Sequence, residues 1–230
     1  MKNIFIACDT TNTKKINKII KLSHIKSSKY KIGYKFGLEF FYTKNGRNFL
    51  SKLKTKNLWL DLKIFDIPNT SAASIVSLRD LKNISYITVH ISGGIEMMRL
   101  VKKQAKKYNK NLKILGVTIL TSFSNSSIKK IGHTKSIKDL VRQQAKLAKE
   151  AKLDGVVCSA YEINIVKRVS KKIKIFTPGI RLAGDKKNDQ KRVMTPANAF
   201  KNGANSIVIG RSVTAGNIKK NFQKLIKSLD

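Results

Sequence analysis

The amino-acid sequence predicts an α/β protein, a single (β/α)8 (TIM) barrel domain over residues 1–230. Short β-rich apolar runs recur eight times along the chain, and each is followed by a helix-like stretch. A length of 230 residues fits a barrel of this kind. No Gly-x-Gly-x-x-Gly motif follows the first run, which disfavours an open doubly wound sheet that binds a dinucleotide.

The predicted strands are spaced so that a helix fits between each pair, and each ends in polar or glycine residues. The eight strands are predicted at residues 4–8, 30–36, 58–62, 84–89, 112–117, 155–158, 173–176 and 206–209. Between the fifth and sixth strands, residues 136–152 carry apolar side chains at the helical period and predict an amphipathic helix. The polar stretch 181–191 is too long and too charged for a minimal connection, so we interpret it as a functional loop.

The charge balance raises the question of a nucleic-acid partner, since 48 basic residues against 13 acidic ones give a net charge of +35. The basic residues are spread along the whole length, however. There is no basic tail, no helix-turn-helix pattern and no alternation of aromatic and basic residues on neighbouring strands. We interpret the charge as a lysine-rich solvated surface and expect no specific nucleic-acid partner. Nucleic-acid binding stays an alternative that rests on charge alone.

Cysteine usage and hydropathy indicate a cytoplasmic protein. Cys8 and Cys158 each follow an apolar run, and we expect both to be reduced, buried and structural. No pair of histidines and cysteines has metal-ligand spacing, so no metal site is predicted. No apolar run approaches membrane-spanning length, and the apolar start at residues 1–7 is too short for a secretory signal, so we expect no membrane partner.

The segment after the third predicted strand concentrates charge in a chain that has few acidic residues. Asp61 and Lys63 are two positions apart, so on a strand both project from the same face. Asp66 follows just beyond the strand, in a turn that Pro68 announces. A lysine held between carboxylates is oriented to deliver a proton or to bind an anion. The alternative is a structural ion pair at a strand end.

Active sites of (β/α)8 barrels gather at the carboxyl ends of the strands. Charged or hydrogen-bonding residues follow nearly every predicted strand: Asp9, Lys35, Asp61 with Lys63, His90, residues 118–122, Ser159, Pro178 with Gly179, and Gly210 with Arg211. Three of the few carboxylates, Asp9, Asp61 and Asp66, lie at such ends. This concentration favours a catalytic interpretation of the segment that begins at Asp61.

Residues 61–70, which read Asp-x-Lys-x-x-Asp-Ile-Pro-Asn-Thr with Leu62, Ile64 and Phe65 at the open positions, resemble the signature of the orotidine 5′-phosphate decarboxylase family. The resemblance runs in collinear order along almost the whole chain. Further matching segments lie at residues 7–9, 35–37, 88–94, 116–122, 154–159, 177–181, 189–196 and 208–211. The chain departs from the family pattern at Cys8, Ile91 and Leu182, none of which is expected to take part in chemistry.

The resemblance implies a reaction and a catalytic array. The chain would remove CO2 from C6 of orotidine 5′-phosphate, the last step of uridine 5′-phosphate (UMP) synthesis, without a metal or an organic cofactor. Lys63 would protonate the C6 carbanion within an alternating array of Lys35, Asp61, Lys63 and Asp66. The resemblance also implies a homodimer with shared sites, because Asp66 would come from the partner subunit.

The resemblance implies substrate contacts as well. The residues concerned are Asp9 and Thr70 for the ribose, with Thr70 reaching across the dimer; Thr121 and Ser122 for the pyrimidine edge; and Arg181, Gln190, Gly210 and Arg211 for the phosphate. Apart from the resemblance, the glycine, charges and length of residues 182–189 suit a lid that closes over the bound phosphate. The role of His90 stays open between a place at the barrel mouth and a structural histidine.

One rival lies on the same fold: a magnesium-dependent 3-keto-gulonate-phosphate decarboxylase or hexulose-phosphate synthase. Those enzymes need a carboxylate after the second strand to help hold the metal. Here Lys35 stands at that place, and a cation there would repel magnesium. Glu39 is the only acidic residue nearby, and the rival interpretation depends on it.

Overall fold

The chain folds into a closed barrel of eight parallel strands in sequential order. The structure, a computed structural model, describes residues 1–55, 57–185 and 192–229. The strands are β1 Lys2–Ala7, β2 Tyr30–Gly37, β3 Leu58–Ile64, β4 Ile84–His90, β5 Lys113–Val117, β6 Gly155–Val157, β7 Lys174–Ile180 and β8 Ser206–Ile209. The barrel closes where β8 pairs with β1, for example Ser206 with Asn3. The predicted single-domain (β/α)8 barrel is confirmed.

Helices alternate with the strands and surround the barrel. They are α1 Thr13–Leu22, α2 Leu38–Phe41, α3 Gly46–Lys52, α4 Pro68–Ser77, α5 Gly94–Tyr108, α6 Asn125–Lys130, α7 Ile137–Glu150, α8 Ile163–Val169, α9 Pro196–Lys201, α10 Arg211–Thr214 and α11 Ile218–Lys227. The amphipathic helix predicted at 136–152 is α7, and it begins where the Ser136 side chain accepts a hydrogen bond from the Asp139 N–H. Within the described part of the chain, no helix is long and apolar enough to cross a membrane.

Aromatic rings fill the interior of the barrel. Phe5, Trp59 and Phe176 pack together with ring centroids 5.2 to 6.1 Å apart. Gly33 and Gly155 leave room for them, because a Cβ at Gly33 would lie 2.5 Å from the Phe5 ring and one at Gly155 2.8 Å from the Phe176 ring. The rings precede the carboxyl-terminal residues of their strands, so they form the floor beneath the barrel mouth.

A second, larger apolar layer lies between the sheet and the helices. Cys8 and Cys158 belong to it, and both are free and buried, as the sequence predicts. Burial raises the pKa of the Cys8 thiol to about 12, with a further contribution from Asp9. The thiol is therefore neutral at physiological pH, which makes Cys8 a structural residue rather than a nucleophile.

Two strands, β3 and β7, end two or more residues later than the sequence predicts, and both extensions shape the barrel mouth. β3 continues to Ile64 and so includes Lys63. β7 continues to Ile180, which forms a parallel bridge with Met194. Met194 lies in sequence just after residues 186–191, which are outside the described residues. The predicted functional loop therefore begins and returns at the same edge of the barrel.

Candidate active site

A cavity of about 580 Å³ opens at the carboxyl ends of the strands. Nine of the twelve residues predicted to take part in catalysis or substrate binding line it: Asp9, Lys35, Asp61, Lys63, Thr121, Ser122, Arg181, Gly210 and Arg211. They come from strands on all sides of the barrel, so the closed sheet brings together residues that are as much as 202 positions apart in sequence (211 − 9). The cavity is the candidate active site.

Asp61 lies at the centre of an ion network on one wall of the cavity. Its Oδ2 is 3.3 Å from Nζ of Lys35 and 3.0 Å from Nζ of Lys63. Nζ of Lys35 also lies 3.3 Å from Oδ1 of Asp9, which carries the network across to the end of β1. The side chains of Lys35 and Asp61 are about one-tenth exposed and that of Lys63 one-third exposed. Lys63 is therefore the member of the lysine pair that a bound molecule reaches more easily.

The network fixes the charges of its two most buried members. Burial alone would raise the pKa of Asp61, but Lys35, Lys63 and hydrogen bonds from Lys63 and Thr88 hold that pKa below its usual range. Burial alone would lower the pKa of Lys35, but Asp61 and Asp9 raise it above the ordinary lysine value. Asp61 is thus a carboxylate and Lys35 an ammonium at neutral pH.

Lys63 has an unusual backbone conformation. Its φ is +49°, in the left-handed region that residues other than glycine rarely adopt. The pairing of β3 with β4 is irregular here, because Leu60 pairs with Ile87 while Ile64 pairs with Val89. The Lys63 N–H donates to Oγ1 of Thr88 at 2.9 Å. This bulge turns the Lys63 side chain toward Asp61 at the cavity wall.

Two arginines contribute positive charge to the same cavity. Arg181 follows β7, its side chain is buried, and its Nε has no hydrogen-bond partner among the described residues. Burial and the neighbouring Arg211 both lower the pKa of Arg181. Gly210 precedes α10, and a Cβ there would lie 3.6 Å from Ala7 and 4.0 Å from a carboxylate oxygen of Asp9. The absence of a side chain at Gly210 keeps this part of the cavity open, beside cationic groups suited to an anion.

The loop after β5 forms another part of the lining. Thr121 and Ser122 contribute hydroxyl groups there, beside the apolar Ile119 and Leu120. Arg192 connects this loop to the segment after the neighbouring strand β6, since it forms an ion pair with the buried Glu162 and donates to the Leu120 carbonyl at 3.5 Å. Sequence reasoning did not find this pair, because its members are 30 residues apart and no motif links them.

Some predicted residues lie elsewhere. Asp66 and Thr70 are exposed and are not among the described residues that line the cavity. Oδ1 of Asp66 instead accepts a hydrogen bond from the Ile67 N–H at 2.7 Å. Gln190 falls outside the described residues, as do residues 186–189 of the predicted lid.

His90 is the last residue of β4, and its contacts are typical of a structural histidine. Its Nδ1 accepts a hydrogen bond from the Ser92 N–H at 3.4 Å, and its ring packs on Phe65 with centroids 5.6 Å apart. Burial lowers the pKa of His90, and the positive charge of Lys63 lowers it further. His90 is therefore mostly neutral at pH 7 and caps the 3-10 turn at Ile91–Gly93.

The structure adds residues that sequence reasoning left without a role. Trp59 and Thr214 line the cavity, and Thr88 lies behind it, where its hydroxyl donates to Oδ1 of Asp61 at 2.9 Å. Trp59 could have been found from its position two residues before Asp61 on the same strand face. Thr88 carried no such signal, since a threonine inside an apolar strand is ordinary.

The fold and the cavity together define a class, a (β/α)8-barrel enzyme with a carboxylate–lysine network and two arginines in one cavity. Residues 2–223 match the model of the Orotidine 5'-phosphate decarboxylase / HUMPS family. The chain therefore belongs to this family. The resemblance inferred from the sequence is confirmed, and with it the prediction of a carboxy-lyase.

Individual relatives cover the chain from end to end. It is 40% identical to the orotidine 5'-phosphate decarboxylase of Wolbachia sp. subsp. Brugia malayi, over 100% of both chains. It is 37% identical to that of Fusobacterium nucleatum subsp. nucleatum, over 99% of this chain and 95% of the relative. The crystal structure of the orotidine 5'-phosphate decarboxylase from Lactobacillus acidophilus superposes with a TM-score of 0.84 at 29% identity, covering 100% of both chains.

Proposed function

We propose that this chain decarboxylates orotidine 5′-phosphate to UMP, the last step of de novo pyrimidine nucleotide synthesis, without a metal or organic cofactor. The observation that carries the proposal is the contact of Lys63 with the ionised Asp61 in a cavity that also holds Arg181 and Arg211. The family and the names of the full-length relatives support the same substrate.

The proposed chemistry uses Lys63 as the proton donor. The bond between C6 and the carboxylate breaks, CO2 leaves, and the electron pair stays on C6. The Lys63 ammonium then transfers a proton to C6, and solvent restores the lysine. Asp61 orients Lys63 and lies next to the leaving carboxylate, while Lys35 holds Asp61 in place and balances its charge. Charged groups that are already in position before the reaction begins can stabilise the carbanion without moving first. The ion pairs of Asp61 with Lys35 and Lys63 are in position without a substrate.

The rest of the cavity is proposed to grip the remainder of the nucleotide. Asp9 would bind a ribose hydroxyl, and Thr121 with Ser122 would face the pyrimidine edge. The phosphate would lie against Arg181, Gln190, Gly210 and Arg211, where guanidinium groups supply charged donors and Gly210 leaves space. Sites after the seventh and eighth strands are where barrels of this class usually bind phosphate.

We further propose a homodimer with shared sites. Asp66 and Thr70 lie outside the cavity of their own subunit, and Asp66 stands between two exposed apolar side chains, Phe65 at 64% and Ile67 at 66% exposure. Such residues are expected to be covered in an assembly. In the dimer, Asp66 would complete the partner's lysine–carboxylate array and Thr70 would reach the partner's ribose. We also propose a cytoplasmic location, because the two cysteines are free rather than joined in a disulfide.

The magnesium-dependent rival fits the site less well. Nζ of Lys35 lies 3.3 Å from both Asp9 and Asp61, where the metal would need carboxylates free of a cation. Glu39 is exposed on α2 and does not line the cavity. Among the residues that the structure describes, no three acidic, histidine or cysteine side chains are grouped so that they could hold a metal ion.

The test is a spectrophotometric assay of orotidine 5′-phosphate with EDTA present. The proposal predicts turnover to UMP that the chelator leaves unchanged. A matched assay with orotidine, which lacks the phosphate, should give a far lower kcat/KM, since the two arginines would have no anion to bind. No turnover of orotidine 5′-phosphate, or turnover that EDTA abolishes, would contradict the proposal.

A further inference from the structure

One buried hydroxyl, that of Thr88, connects the two residues at the centre of the site. Thr88 lies in β4, is fully buried and does not line the cavity. Its Oγ1 is 2.9 Å from the backbone N of Lys63 and 2.9 Å from Oδ1 of Asp61. The backbone N–H can only donate, so the hydroxyl oxygen accepts from Lys63 and gives its single proton to Asp61.

The two bonds act on different degrees of freedom. The bond to Asp61 holds the carboxylate so that Oδ2, the other oxygen, points at Lys35 and Lys63. The bond from Lys63 satisfies its backbone N–H within the irregular stretch of β3, where φ is +49°. A non-glycine residue persists in that conformation only where its surroundings hold it. Loss of the hydroxyl would release both constraints together.

We propose that Thr88 is a positioning residue for proton transfer: its hydroxyl sets the Asp61 carboxylate and the Lys63 backbone so that the Lys63 ammonium is aimed into the cavity. This inference rests on the proposed function of Lys63 as proton donor. Thr88 itself touches no substrate. Its effect therefore falls on the chemical step, which needs an aligned donor, and hardly on binding of the nucleotide, which depends on Asp9 and the arginines.

The test compares variants that differ by one group. Thr88→Val removes the hydroxyl and keeps the shape, and Thr88→Ser keeps the hydroxyl. The matched control is Thr177→Val in β7, because Thr177 is equally buried and its hydroxyl has no hydrogen-bond partner within the described ranges. We expect kcat of Thr88→Val to fall roughly ten- to hundred-fold with KM changed less than about threefold. Thr88→Ser should restore most of kcat, and Thr177→Val should leave it unchanged.

A folded Thr88→Val variant with near wild-type kcat would overturn the proposal, and so would an equal loss in Thr177→Val. Should Thr88→Val melt below the assay temperature, Thr88→Ala, which also removes the hydroxyl, carries the same test. Crystal structures of Thr88→Val and wild type give a readout that is independent of activity. The proposal requires that in Thr88→Val either the φ of Lys63 changes from its present value or the Asp61 carboxylate rotates away from Lys63. If neither moves, it is wrong, whereas inactivity of the wild-type chain would count against the proposed function alone.

Discussion

The side-chain nitrogen of Lys63 lies 3.0 Å from Oδ2 of Asp61, and the same oxygen is 3.3 Å from Lys35. One carboxylate oxygen therefore holds two ammonium groups at the wall of the cavity. Asp66, the proposed fourth member of the array, is exposed, and its Oδ1 accepts a hydrogen bond from the N–H of its own neighbour Ile67. The two lysines are balanced by Asp61 and Asp9, but Arg181 and Arg211 line the same cavity and leave it with an excess of positive charge. An acidic group from a second subunit or an anionic substrate would balance that excess.

Shared sites predict complementation between two inactive variants. Lys63→Ala and Asp66→Ala proteins should each be inactive, whereas a mixture with exchanged subunits should recover about a quarter of the wild-type sites. Half of the dimers would then be hybrids, and one of the two sites in each hybrid would be intact.

A mixture of Lys63→Ala with Lys35→Ala is the matched control, because both lysines line the cavity of one chain. It should recover nothing. If subunit exchange is demonstrated and the first mixture also stays inactive, the sharing of Asp66 is wrong.

The buried guanidinium of Arg181 predicts selective loss of phosphate affinity. Arg181→Met keeps the apolar length of the side chain and removes its charged donors, so the dissociation constant for UMP should rise roughly ten- to hundred-fold, as expected for one charged hydrogen bond. The affinity for uridine should change little. Arg168→Met, on α8 away from the cavity, is the control. Calorimetric titration decides, and an equal loss for uridine and UMP would argue against a phosphate role.

His90 should report on the charge of Lys63. Burial and Lys63 both lower the pKa of His90 below 6.5. In Lys63→Ala the pKa of His90 should therefore rise in a histidine NMR titration. Lys174→Ala, at the opposite end of the barrel, should leave it unchanged. An unaltered His90 pKa in the folded Lys63→Ala variant would contradict the electrostatic account.

The lowered pKa also sets the sign of a pH effect on stability. As the pH falls below 6.5, the unfolded chain binds a proton at this position before the folded chain does. His90 therefore lowers the free energy of unfolding on acidification, and the loss is complete once the pH is below the folded-state pKa. In denaturant melts, the free energy of unfolding of His90→Asn should change less with pH through that window than that of the wild type.

The ion pair of Glu162 and Arg192 predicts a large effect on stability. Glu162 is 2% exposed, and its Oε2 also accepts from the Ser159 N–H. Arg192→Met would leave this carboxylate buried without its cation, at a cost of about 3–5 kcal/mol in the free energy of unfolding. Arg192→Met with Glu162→Gln should recover part of that loss. The control Arg142→Met, which breaks the exposed pair with Asp139, should change little in the same urea melts.

The strands and the cavity were predictable from the sequence for simple reasons. A barrel strand is an apolar run, and its carboxyl end is marked by the first polar residue, so Asp9, Lys35 and Asp61 could be placed at one edge without coordinates. The face shared by Asp61 and Lys63 followed from the two-residue period of a strand.

The remaining features of the site depend on contacts between segments that are far apart in the sequence, and no local motif indicates such contacts. The bulge that gives Lys63 its positive φ arises from a mismatch between β3 and β4, and no residue type at position 63 announces it. Thr88 and the pair Glu162–Arg192 act through contacts between distant segments. The roles of Asp66 and Thr70 stay predictions, because they need a second subunit.

Lys63→Ala tests the central claim most directly. The folded variant, checked by circular dichroism and thermal melting against Lys174→Ala, should lose kcat on orotidine 5′-phosphate by at least about a thousandfold, since a positioned proton donor supplies up to about 10⁴-fold. UMP should still bind, because the contacts proposed for Arg181 and Arg211 with the phosphate and for Asp9 with the ribose do not involve Lys63. Decarboxylation at near wild-type rate by a folded Lys63→Ala variant would contradict the account.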